Sequence, residues 1–159
     1  GLGTIGRRVA DIAKAFGAQI IYYSASGRSA QEGYEQVDLD TLLAKSDIIS
    51  VHAPLNEHTE GLMDKAAFAK MKKNCIFLNL GRGPIVVEQD LYEALENDEI
   101  AAAGLDVLCQ EPMSETNPLR KIKDSKKLLI TPHVAWASVE ARTKLMGIIL
   151  EQIKEYFQI

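Results

Sequence analysis

What most restricts the fold of this chain is an alternation. Five short apolar runs, AQIIYYS, DIISVHA, CIFLNL, AAAGLDV and LLITPH, are separated by longer stretches, several with the periodicity of helices. Such runs read as strands. Strands joined through helices must run parallel, and the predicted architecture is α/β with a parallel sheet covered on both faces. The first helix, TIGRRVADIAKAFG, places Ile5, Val9, Ile12 and Phe16 at helical spacing and stops at Gly17. TLLAKS is expected to be capped by Asp40, KAAFAKM by Asp64, and the long closing helix from Val139 by Ser138. EQDLYEALEND turns Leu91, Ala94 and Leu95 inward. SGRSAQEGYEQ and most of 110–127 read as loop. Leu145, Ile148, Ile149 and Ile153 of the closing helix find their simplest use in packing against the sheet, with a subunit contact as the alternative.

Composition removes several classes of function. The 159 residues suffice for one domain, and 47% hydrophobic with 25% charged residues is ordinary for a globular chain. A net charge of -4 offers no basic surface for nucleic acid or an acidic membrane. No apolar run approaches the roughly 18–20 residues of a membrane span, and no signal-peptide pattern is visible. Cys75 and Cys109 are too isolated to form a zinc site, and both are expected to be buried free thiols. The expectation is therefore a cytoplasmic protein with no metal, nucleic-acid or membrane partner.

The motif GLGTIG at residues 1–6 stands where a strand-to-helix turn binds a pyrophosphate through backbone N–H groups. Its helix begins inside the motif and a strand follows that helix, the context that such glycines require. Gly1 permits the turn, Gly3 admits the phosphates and Gly6 lets the helix pack closely, with Thr4 and Ile5 also at the cofactor. The expected fold class is thus a Rossmann-type doubly wound sheet. The acid that normally follows at the end of the next strand is absent, and Ser24 stands in its place. Loss of that acid permits a 2′-phosphate, which Arg28 can pair with, so NADP or dual use is favoured over NAD alone. The alternative is that Arg28 decorates a loop while Ser24 serves an NAD ribose.

Ligands of such sheets bind beyond the carboxyl ends of the strands. Three polar stretches fall there: NLGRGPIV, GLDVLCQEP and TPHVAW. Arg82 can present a guanidinium fork to a carboxylate. His133 can exchange a proton with a substrate oxygen, and Glu111 can orient the imidazole and favour its protonated form. Each residue also has a plain account: a surface ion pair for Arg82, solvation for Glu111, a backbone hydrogen bond for His133. Their shared edge of one sheet argues for the catalytic account. His52 reads as positional, and His58 as exposed.

GLGTIG, VHAPL, LNLGRGPIV, AAAGLDVLCQEP and LLITPHVAW, in this order, resemble the D-isomer-specific 2-hydroxyacid dehydrogenase family over essentially the whole chain. The resemblance implies an oxidoreductase that moves a hydride between NAD(P)H and a small 2-keto or 2-hydroxy acid. Arg82 would bind the substrate carboxylate, His133 would be the acid/base and Glu111 its partner. It also implies cofactor contacts from His52, Ala53, Pro54, Thr59, Leu80, Gly81 and Ala135, with Asp106 holding the nicotinamide carboxamide, and a homodimer. Trp136 and the following SVEAR are reminiscent of the glycerate dehydrogenase (hydroxypyruvate reductase) branch, with hydroxypyruvate or glyoxylate as substrate. That tryptophan can lie beside the nicotinamide or pack in a core or subunit contact. Two other readings share the fold: a corepressor-like module that senses the dinucleotide, and a dehydrogenase of another small anion such as formate or phosphite. Finally, the resemblance implies that residues 1–159 are an excerpt of the nucleotide domain. They would lack its central strand, fold poorly alone, and be inactive without the substrate domain.

Overall fold

The computed structural model describes residues 1–26 and 33–158. Its elements in chain order are α1 (Thr4–Ala15), β1 (Ile21–Tyr22), β2 (Glu35–Gln36), α2 (Leu39–Lys45), β3 (Ile48–Val51), α3 (Lys65–Ala69), β4 (Ile76–Asn79), α4 (Glu88–Glu96), β5 (Ala102–Leu105), β6 (Leu128–Ile130) and α5 (Val139–Phe157). Two 3₁₀ turns, Gly83–Ile85 and Pro118–Lys121, sit in the connections. Strands β3-β4-β5-β6 form a parallel sheet in sequence order. A separate parallel pair, β1-β2, lies outside it.

The period of two along each strand decides which face is buried. Ile49, Val51, Phe77, Ala103 and Leu105 point into the core, where they meet Phe68 of α3 and Leu91 and Leu95 of α4. Phe68 packs edge-on against Phe77, with centroids 5.5 Å apart. Such a pair contributes about 0.5–1.5 kcal/mol beyond its area. The other face is open by comparison, with Ile48 and Leu129 both more than 60% exposed.

Several local expectations change. The cap of α2 is Asp38, whose carboxylate accepts from the N–H and hydroxyl of Thr41, because Asp38 has the extended backbone that a cap needs. Asp40 lies within the first turn and pairs with Lys70. Asp64 and Ser138 cap α3 and α5 as read from sequence. Part of the polar loop after Ser24 forms β2, since Glu35 and Gln36 pair with Ile21 and Tyr22. The apolar stripe of α1 faces outward: Gly6 and Ala10 are its buried residues, while Ile5, Val9, Ile12 and Phe16 are exposed. Helix α5 has no buried residue, so Leu145, Ile148, Ile149 and Ile153 do not pack against the sheet. Cys75 is buried as expected and Cys109 is exposed. The Cys109 thiol nevertheless donates to the Val86 carbonyl, and local burial with nearby Glu88 pushes it up to about 11. No helix among the described residues is long and apolar enough to cross a membrane.

Candidate active site

The glycine turn comes first, because its shape follows from missing side chains. A Cβ on Gly6 would stand 2.2 Å from the Gly1 carbonyl oxygen, so the turn closes only with glycine there. A Cβ on Gly3 would meet nothing within 4 Å. That face opens at the N-terminus of α1, where unpaired N–H groups and the helix dipole favour an anion.

A cleft of about 670 Å³ begins at this turn. Gly1, Gly3, Thr4, Ser24, His52, Ala53, Pro54 and Thr59 line it. An open glycine face at a helix N-terminus, beside the ends of β1 and β3, fits a dinucleotide. Leu2, Arg7, Arg8, Asp11, Tyr22, Ala25, Ser26 and Asn56 also line the cleft and were not anticipated. Arg7 and Arg8 carried a usable signal, a basic pair directly after Gly6. Asp11 is engaged by the Tyr34 hydroxyl. Ser24 and Ser26 share a hydrogen bond at the end of β1, 3.2 Å between their oxygens. Arg28 lies outside the described residues.

Some anticipated cofactor residues are placed to shape the backbone. The Thr59 hydroxyl is buried and donates to the Pro54 carbonyl at 2.7 Å while accepting from the Asn56 N–H. It thereby closes the turn after β3. His52 is half-buried, and burial pushes its imidazole below the ordinary range; its Nε2 meets Ser50 Oγ at 2.9 Å. Ile5, Gly6, Leu80, Gly81, Asp106 and Ala135 do not line the cleft. Gly6 sits behind the turn, the Ile5 side chain faces away, and the other four belong to the neighbouring strand ends.

Those strand ends form the second half of the site. Asp106, just past β5, is 5% exposed. Its Oδ1 accepts from the Thr131 hydroxyl at 2.5 Å and the Val134 N–H at 2.9 Å, and its Oδ2 from the Ala135 N–H at 2.8 Å. Burial alone would raise this carboxyl; the three donors outweigh it and hold it below the usual carboxylate range. The loop after β6 is thus tied to the end of β5. Within that loop His133 has φ 53°, a left-handed conformation that costs a non-glycine residue on the order of 1–3 kcal/mol. Its Nδ1 lies 2.8 Å from Oε2 of Glu111. A carboxylate can only accept, so Nδ1 carries the hydrogen and Nε2 is left to face outward chemistry. The other Glu111 oxygen accepts from the Leu108 N–H at 2.8 Å. That N–H first, and His133 second, lower the Glu111 carboxyl.

Arg82 follows β4 through a turn built by Asn79. This residue is fully buried; its Oδ1 accepts from the Gly81 N–H and its Nδ2 donates to the Arg82 carbonyl, both at 3.0 Å. Arg82 itself is exposed and donates from Nη1 to the Gly81 carbonyl at 2.8 Å. Asn79 was not foreseen, although a polar residue closing the apolar strand IFLN ahead of a glycine turn is a readable signal. Trp136 is 54% exposed, and its indole N–H donates to the His133 carbonyl at 2.8 Å. His58 is exposed beside Glu57. Among the described residues no group of three or more His, Cys, Asp or Glu is placed to hold a metal.

A parallel sheet with a glycine turn at its carboxyl edge and an Asp-anchored His–Glu pair beside it describes a dinucleotide-binding domain. Residues 1–135 match the model of the D-isomer specific 2-hydroxyacid dehydrogenase NAD binding domain, and the chain belongs to this family. It is 43% identical over 160 residues to a hydroxypyruvate reductase of Blautia hydrogenotrophica, covering 99% of this chain and 49% of that protein. Among solved structures it resembles an acyclic imino acid reductase in complex with NADPH and D-Arg, with 38% identity and a TM-score of 0.88, covering 99% of this chain and 49% of that one. It also resembles a D-lactate dehydrogenase with NAD⁺ from Lactobacillus jensenii, with 35% identity and a TM-score of 0.86, covering 95% of this chain and 49% of that one. The chain spans about half the length of these relatives.

Proposed function

We propose that this chain is the dinucleotide-binding part of an oxidoreductase acting on a small 2-keto or 2-hydroxy acid, with hydroxypyruvate and glyoxylate the first candidates. The observation that carries the reading is the 2.8 Å contact between His133 Nδ1 and Glu111 at the carboxyl edge of the sheet. A bound nicotinamide supplies the hydride in reduction and accepts it in oxidation. Protonated His133 gives the Nε2 proton to the ketone oxygen as the hydroxyl forms, and takes it back in the reverse direction. Glu111 holds the ring in that tautomer and stabilises the imidazolium. Arg82 offers a planar fork to the substrate carboxylate and draws charge from the carbonyl. Asp106, with three of its roughly four acceptor sites filled, retains one for a carboxamide N–H. The glycine turn and Thr4 would hold the pyrophosphate, and Leu80, Gly81 and Ala135 would contact the nicotinamide part.

NADP or dual use is the favoured cofactor reading, supported by hydroxyls rather than a carboxylate at Ser24 and Ser26. Arg28 is the proposed phosphate partner. A substrate-binding domain completes the catalytic unit in this reading, and the working enzyme is a cytoplasmic homodimer. Steady-state reduction of hydroxypyruvate, glyoxylate and pyruvate by the full-length protein, with NADH and NADPH in parallel, tests the proposal. Turnover with a keto acid supports it. Tight dinucleotide binding with no turnover of any keto acid replaces it with a sensing module. Turnover of a 2-imino acid alone, the reaction class of the imino acid reductase it resembles, keeps the site and changes the substrate.

A further inference from the structure

We infer that Trp136 is a positioning residue for His133, acting through the peptide unit that follows the histidine. The inference rests on the acid/base reading of His133 given above. The His133–Val134 peptide is held at both ends. Its carbonyl accepts from the Trp136 indole N–H at 2.8 Å, and its N–H donates to Asp106 Oδ1 at 2.9 Å. Among the described residues no other donor reaches that carbonyl. Fixing a peptide plane fixes ψ of the residue before it. Here that residue is His133, which sits at φ 53°, a conformation that persists only where its surroundings over-determine it.

The tryptophan is placed for this use rather than for burial. It is 54% exposed, so much of its apolar surface gains nothing from the core, yet its single polar atom is spent on the histidine backbone. Released from the indole, the peptide keeps only its Asp106 anchor and can tilt about it, and the imidazole loses its fixed aim at Glu111 and at a substrate oxygen. Proton transfer needs reacting atoms within hydrogen-bond reach, and small misplacements cost large factors in rate.

The test uses the full-length enzyme and two variants, Trp136→Phe and replacement of Trp136 by its benzothienyl analogue, which keeps the bicyclic shape and removes only the N–H. The expected result for both is a fall in kcat of about ten-fold with dinucleotide Kd changed less than about two-fold. The limb of the pH–kcat profile that reports His133 should also move, a change that loss of packing alone would not produce. An unchanged kcat and pH profile in the benzothienyl variant overturns the inference, as does a parallel loss of kcat and dinucleotide affinity. His133→Asn is the separating control. If it retains full activity, the acid/base reading itself fails; if it is inactive while both Trp136 variants are normal, only the role of Trp136 falls.

Discussion

The two halves of the site are built on opposite principles. The half proposed for the cofactor is shaped by what is missing: Gly6 leaves room for the Gly1 carbonyl, and Gly3 leaves its face open. The half around His133 is shaped by polar side chains tied to backbone. Asn79 bridges Gly81 and Arg82, Asp106 gathers Thr131, Val134 and Ala135, Glu111 holds Leu108 and His133, and Trp136 holds the His133 carbonyl. A mobile chain of phosphates is well served by an open cradle of N–H groups. Proton transfer demands a fixed donor, and fixing it takes a network.

If that contrast is right, substitutions in the network should strike rate, and substitutions in the turn should strike cofactor affinity. The largest effect is expected from His133→Asn in the full-length enzyme, a loss of about 10²–10⁴ in kcat with dinucleotide Kd nearly unchanged, read by single-turnover kinetics and binding titration. Comparable loss of both would blur the two halves into one.

Gly83→Ala comes next. Its Cβ would fall 1.9 Å from the Leu108 carbonyl oxygen, so the loop that carries Glu111 must shift. Thermal unfolding should show a destabilisation of about 1–3 kcal/mol, the range for overpacking a tight site, with kcat reduced as well. Gly6→Ala should instead weaken dinucleotide binding, because the clash lies inside the phosphate turn.

Glu111 adds a pH dependence. Its carboxyl is lowered in the folded protein, so the stabilisation it contributes is present above its unfolded value and is lost as pH falls through the folded one. Folding stability, followed by thermal unfolding against pH, should therefore keep the Glu111 contribution at neutral pH and lose it only below the ordinary carboxylate range. Glu111→Gln should remove that acid limb and lower kcat at all pH values. The smallest effect belongs to Ser24→Asp, which should shift the NADPH to NADH preference about ten-fold toward NADH without altering kcat, as a carboxylate repels the 2′-phosphate.

The same contrast explains how much was legible in the sequence. Alternating apolar runs announced the parallel sheet, since that pattern and the burial of its strands are two sides of one physical requirement. GLGTIG was readable because glycines at fixed spacing encode a turn locally. Arg82, Glu111 and His133 were readable as polar groups at strand ends, and the His133–Glu111 contact joins two of them. Asn79, and the hold of Asp106 and Trp136 on the loop after β6, were not foreseen. Asp106 donates nothing and reaches partners 25–29 residues away, a relation that no local pattern carries. The outward stripe of α1 and the exposed length of α5 failed for a related reason. Periodicity states that a face is apolar; it does not state what the face meets.

The most direct test of the account is the pH profile of 2-keto acid reduction by the full-length enzyme. With His133 as proton donor, the rate falls in basic solution, where the protonated donor is lost. A profile that stays flat through about pH 9 would contradict that role.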